Sequence, residues 1–226
     1  MKTVTGWHFA GSTLRDGRPL PQKGETLTHA GDVIPCQSGL HASRRAIDAL
    51  SYAPGCRVAR VKLSGTIVAN GAPIDKYAAS KRKGMSDYVD AQASLRALAR
   101  RWAFRAVRVH AVKSLRARGN HDAADKLAAI PDDYSLKNLR AAAAAAADSA
   151  AGAAAAAAAA ADAAAADAAY AAAYAAAVGG AYAAAYDDAA RQKERNLQNR
   201  ELTEALTDLI QQQTGVAPAC PKDGPD

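Results

Sequence analysis

Apolar and polar positions change their period along this chain, and the changes divide it. Residues 4–9 (VTGWHF) read as a first strand. Between residues 57 and 68, apolar Val58, Val61 and Leu63 interleave with Arg57, Arg60 and Lys62, which predicts a strand with a basic exposed edge and a bend or bulge at Gly65. Residues 25–36 hold two short extended runs, the second being DVIPC. A short helix over 44–52 follows, with Ile47 and Leu50 on one face, and ends at Pro54-Gly55. Residues 70–86 read as loop that leaves room for one more strand.

From Ser86 or Asp87, either of which can cap a helix, the period becomes helical. The helix is expected to stop at Gly119-Asn120. Leu95, Leu98, Trp102, Ala106 and Val109 fall on one face, and Arg101, Arg105 and Arg108 on a second beside it. A shorter helix begins at His121 and ends before Pro131. Ser135 then caps a long Ala-rich segment, in which 36 of residues 141–190 are Ala. Alanine has the highest helix propensity but buries little area, so close packing against neighbouring antiparallel helices is expected. Tyr170, Tyr174, Val178, Tyr182 and Tyr186 recur every four residues, which suits such packing. The last helix carries Leu202, Leu206, Leu209 and Ile210.

The expectation is an α+β protein: a β-rich domain over 1–85, a helical region over 86–213 and a disordered tail over 214–226. Charge divides near the Ala-rich tract, with +13 over residues 1–140 and −6 over the rest. The halves can attract each other, or the basic half can meet an acidic partner such as nucleic acid. Three scattered cysteines, Cys36, Cys56 and Cys220, give neither a disulfide framework nor zinc spacing and fit a reducing cytosol. The N-terminus lacks an apolar signal core, and Asp162 and Asp167 interrupt any membrane window in the Ala tract. A protein without membrane contact is expected.

Candidate chemistry is sparse. His41 and Ser43, in the run GLHAS, share one face if the run is extended. His41 reads either as a general base or as a hydrogen-bonded residue in a strand-to-helix junction whose helix Ser43 caps. His8, between Trp7 and Phe9, reads either as a ring in a ligand cleft or as a half-buried histidine. His29, His110 and His121 show no metal spacing. The Arg101, Arg105 and Arg108 face can grip phosphates or pair with the acidic end of the same chain.

Taken together, WHF, KGETL, GLHAS, DALSYAPG, DKYAASKR, SLRALAR and QNRELTEAL resemble a family of uncharacterised phage and prophage proteins. That resemblance carries no assigned activity; the favoured expectation is an accessory protein in the host cytoplasm, non-enzymatic, without a cofactor and acting through a protein partner, with an enzymatic role left open. Self-association through the Ala-rich helices fits the same picture. The order of strands and the small-Ser motif are also similar to the ADP-ribosyltransferase fold. That likeness implies NAD held in a cleft, with His8 on the first strand and His41 or Ser43 near the second contact. The late-strand Glu of that fold has no counterpart, because no Glu lies between Glu25 and Glu194. A nucleic-acid-associated protein using the basic helix is the third expectation.

Overall fold

A computed structural model describes residues 2–132 and 188–214, together with Ser135, Asn138, Leu139 and Ala142 between them. The Ala-rich tract, the tyrosine series and the Pro-rich tail lie outside the described residues. The fold is α+β: an antiparallel sheet over the first ninety residues, then helices.

The strands are β1 (Val4–Ala10), β2 (Thr26–Thr28), β3 (Leu40–Ala42), β4 (Arg57–Asn70), β5 (Lys76–Gly84) and β6 (Val89–Asp90). Their order is β1-β4-β5-β2, with β3 also pairing β5 and β6 also pairing β4. β5 falls where the sequence reads mostly as loop, yet it carries three pairings. Its apolar content is low because its N-terminal half fills the core with small residues, Ala78 and Ala79, both fully buried. The expected bulge in β4 is present: the β4–β5 register shifts between Ser64 and Ile67, around Gly65 at φ +77°. The sheet core joins Val4, Ala59, Val61 and Leu63 to Ala42, Tyr77 and Ala79.

Two segments depart from the expected pattern. DVIPC is a turn-bearing loop, not a strand. Ser38 Oγ bonds the Asp32 carbonyl at 2.5 Å and accepts the Ile34 N–H at 3.2 Å, so a side chain takes backbone groups that a ladder would use. The strand lies instead in the next run, Leu40–Ala42, and α1 (Ala46–Leu50) is shorter than the sequence suggests.

The chain divides into two compact units. One holds Met1–Ala49, Arg57–Ala91 and Thr203–Asp226; the other holds Leu50–Cys56 and Gln92–Leu202. The second contains α2 (Gln92–Arg105), a π-helical segment (Ala106–Ala111), α3 (Val112–Ala117) and α4 (His121–Ala128). Ser86 and Asp87 do not cap α2, which starts after β6. The π-helical segment explains a second departure. A turn closed by i→i+5 bonds holds an extra residue and rotates the face that follows. Val107 is therefore buried and Val109 is 53% exposed, although the simple helical wheel places Val109 inside. Asn120 caps α4 by accepting the Ala123 N–H at 3.3 Å. The last helix, α5 (Asp188–Thr214), is divided between the units after Leu202; its buried positions are Glu194, Gln198, Leu202, Leu206 and Ile210. Among the described residues, no helix is long and apolar enough to cross a membrane.

Candidate functional site

β1 is bridged to the residue that follows β3, Ser43, through one antiparallel pair. Trp7 N–H donates to the Ser43 carbonyl at 2.8 Å, and Ser43 N–H donates to the Trp7 carbonyl at 3.1 Å. The approach is close because Gly6 has no side chain: a Cβ there would stand 2.5 Å from the Ser43 carbonyl oxygen. WHF and HAS, more than thirty residues apart in the chain, are thereby neighbours. Ser43 is buried, and its backbone does the joining.

Beside this junction lies a cluster of His8, His41, Arg82 and Tyr88. Arg82 sits in β5 opposite Leu63 of β4 and Leu27 of β2, and only 4% of it is exposed. Its Nη1 donates to the His41 carbonyl at 3.0 Å. Its Nε is buried without a hydrogen-bond partner, and so is His41 Nε2. His8 Nδ1 lies 2.6 Å from the Tyr88 hydroxyl, with the two rings edge to face.

The electrostatics of the cluster are one-sided. Burial, then the Arg82 charge, then His41 hold the His8 imidazole well below its ordinary value. His41 is lowered by burial and by Lys76, Arg82, Arg15 and His29. Burial raises the Tyr88 phenol, although Arg82 opposes it. Tyr88 therefore keeps its proton at neutral pH, and the direction of its bond to His8 Nδ1 follows the His8 tautomer. Burial, and after it the Arg18 charge, lower Arg82, with Tyr88 and Asp16 opposing. Asp16 is held by Arg18 at 2.6 Å. Among the described residues, no carboxylate forms an ion pair with Arg82. A guanidinium ordinarily enters a protein interior together with an acid, since burying it unpaired costs several kcal/mol. Here the His41 carbonyl, the His8 imidazole and the Tyr88 phenol lie around it, with the charges of the Asp16–Arg18 pair also felt, an arrangement that offers N–H donors to an anion.

Of the sequence candidates, His8 and His41 thus come together, with Ser43 next to them as a backbone joint. Arg82 and Tyr88 are additions that sequence reasoning missed. The available signal was the alternation in Lys81-Arg82-Lys83, exposed, buried, exposed, which a run of three cations conceals.

The three arginines of the helical unit are placed differently. Arg105 Nε donates to Glu194 at 3.0 Å, and its two Nη atoms grip Glu201 at 2.9 and 3.1 Å. Trp102 Nε1 donates to Glu201 at 2.6 Å, and His110 Nε2 lies 3.3 Å from Glu194. Burial alone would raise the Glu194 carboxyl; its bonds to His110 and Arg105 outweigh that and lower it. Arg108 pairs with Asp132, and Arg101 stands 4.0 Å from Glu201 with its side chain 62% exposed. Of the two readings open to this face, pairing within the chain accounts for Arg105 and Arg108.

The fold and the cluster together define an α+β protein whose sheet unit carries a buried cationic site. Residues 4–93, which contain every member of that site, match a family described as a domain of unknown function (DUF7666). The match agrees with the uncharacterised family expected from the sequence and assigns no activity. No curated protein and no solved structure matches the chain.

Proposed function

We propose that the sheet unit binds a phosphate-bearing small molecule, a nucleotide, at Arg82, His8 and His41. The observation that carries this reading is the buried Arg82 guanidinium, which has no carboxylate partner and an unused Nε–H. Its Nη1 is committed to the His41 carbonyl, which leaves the Nε–Nη2 edge, the side that grips an oxyanion with two parallel bonds. The neutral imidazoles of His8 and His41 each carry one N–H, a further donor without added charge wherever the tautomer places that proton on Nε2. The nucleotide class, NAD among its members, comes from the likeness to ADP-ribosyltransferases; the geometry by itself asks for an oxyanion. The reading stops at binding. Transfer from a ribose needs an acid to stabilise the developing cation, and none belongs to this cluster. A phage accessory protein in a host cytoplasm, the wider role implied by the sequence resemblance, would meet such ligands there.

Calorimetric titration of the full chain with NAD, ATP and inorganic pyrophosphate tests the proposal, with Arg82→Met as the control. Binding of at least one probe is expected. Loss of a charge-assisted bond of about 1.5–3 kcal/mol weakens it roughly 10- to 100-fold in the variant. Absence of both heat and thermal shift with all three probes, or equal affinity in the variant, would overturn the reading.

A further inference from the structure

Strand β5 turns Arg82 inward and its two neighbours outward. Lys81 and Lys83 are exposed on the opposite face, about 7 Å apart along the strand. Register extends this face across the sheet. Lys83 stands opposite Lys62 of β4 and opposite Thr26 of β2; Lys81 stands opposite Ser64 and Thr28. Lys62 in turn faces Thr5 of β1. Two residues before Lys62, on the same side, the Arg60 guanidinium lies over the Trp7 ring, 4.5 Å from its centroid. Beyond the buried Trp7, Phe9 and Val58 at its other end, this face is a patch of cations and hydroxyls. No carboxylate sits at any of these register positions.

This arrangement is costly in isolation. Like charges directly opposite each other on antiparallel strands repel, and Lys62 and Lys83 are such a pair. None of Lys62, Lys81 and Lys83 has an ion-pair partner among the described residues. Lysines on one exposed strand edge discourage sheet-to-sheet pairing, but Lys62 lies on the inner strand β4, between β1 and β5, where no edge needs protection. A polyanion laid across the face removes the repulsion and replaces it with attraction. Point-charge lysines set one residue period apart suit a flexible phosphodiester chain. The threonine hydroxyls add donors for phosphate or sugar oxygens.

We propose that this face binds the backbone of single-stranded nucleic acid, without sequence preference, through Lys62, Lys81 and Lys83. It is separate from the Arg82 cluster, which lies on the other side of β5, and from the arginines of the helical unit.

Fluorescence anisotropy of labelled oligo(dT) and oligo(U) with the full chain tests this. Binding is expected to fall with salt, with a slope of log K against log salt near −2 for about three single-strand phosphates, roughly twentyfold between 50 and 200 mM. The Lys62→Gln/Lys81→Gln/Lys83→Gln variant is expected to lose at least about tenfold in affinity and most of the slope. It should melt at or slightly above the parent, because the three side chains are exposed or partly exposed and the Lys62–Lys83 repulsion is removed. Arg82→Met should bind the oligonucleotides as the parent does, so this test fails or succeeds independently of the nucleotide site. Salt-independent binding, an unaffected triple variant, or capture by phosphatidylserine vesicles without oligonucleotide binding would each overturn the proposal.

Discussion

Arg82 and His41 share a hydrogen bond and a deficit. Arg82 Nη1 donates to the His41 carbonyl at 3.0 Å, while Arg82 Nε and His41 Nε2 are both buried with no partner. In the ligand-free chain this is a liability. An apolar isostere at a buried, incompletely paired charge is often neutral or stabilising. Arg82→Met is therefore expected to melt within about 1 kcal/mol of the parent, or above it, since the lost bond to one carbonyl is worth only about that much. Urea denaturation followed through Trp7 measures it. A loss above about 2 kcal/mol would mean that Arg82 serves the fold and not a ligand.

The same cluster sets an acid limit on the sheet unit. His8 and His41 both have folded-state pKa values below the ordinary 6.5. Between those lowered values and 6.5, the unfolded chain binds more protons than the folded one. Stability therefore rises with pH through that window and falls as pH drops below about 6.5. Glu194 behaves in the opposite sense, with a carboxyl lowered from 4.5 by His110 and Arg105. Its contribution is complete above 4.5 and is lost as pH falls through the lowered value. The two tryptophans separate these effects, because Trp7 reports the sheet unit and Trp102 the helical one. In single-tryptophan variants, the Trp7 signal is expected to weaken first on acidification and the Trp102 signal later. Coincident transitions near pH 4 would contradict the histidine account.

Within the helical unit, Arg105 and Arg101 are expected to differ sharply. The Arg105 side chain is 17% exposed and touches two carboxylates, one of them in bidentate fashion. Removing it leaves Glu194 and Glu201 short of their cation, and breaking a buried pair costs about 3–5 kcal/mol. Arg105→Met should approach that range. Arg101 is mostly solvated, with its carboxylate at 4.0 Å, so Arg101→Gln should cost no more than about 0.5 kcal/mol. Thermal unfolding of the two variants side by side decides the matter; equal losses would refute the network.

What the sequence showed and what it hid divide along physical lines. Local signals were legible: β1, the bulge at Gly65, the stop at Gly119-Asn120, and the series Leu202, Leu206, Leu209 and Ile210, of which all but the half-buried Leu209 are buried. Each depends on residues within a turn or two of one another. The site was half legible. His8 and His41 stood out as candidates from their settings, between Trp7 and Phe9 and in the run GLHAS, but their meeting depends on β3 pairing with β5 and the Trp7–Ser43 bridge to β1, a register no local pattern encodes. Arg82 was illegible for the opposite reason. Its neighbours Lys81 and Lys83 make the run look solvated, and only the pleat of β5 separates the inward guanidinium from the outward amines. Val109 went astray because a π-helical turn has no compositional mark in AVRVHA.

The joint between β1 and β3 offers the sharpest test of the site's construction. Gly6 lies where a Cβ would meet the Ser43 carbonyl oxygen at 2.5 Å and the Ser43 carbonyl carbon at 2.9 Å, both backbone atoms that cannot swing aside. Gly6→Ala should force the strands apart at a cost of about 1–3 kcal/mol. Because the Trp7–Ser43 pair keeps His8 and His41 together, phosphate-ligand affinity should fall with it. Gly11→Ala is the matched control: a Cβ there has nothing nearer than the Thr13 carbonyl oxygen at 4.0 Å. Its stability should stay within about 0.5 kcal/mol of the parent, the range of a surface change. If Gly6→Ala melts and binds like the parent, the close approach of β1 to β3 is not what brings the two histidines together.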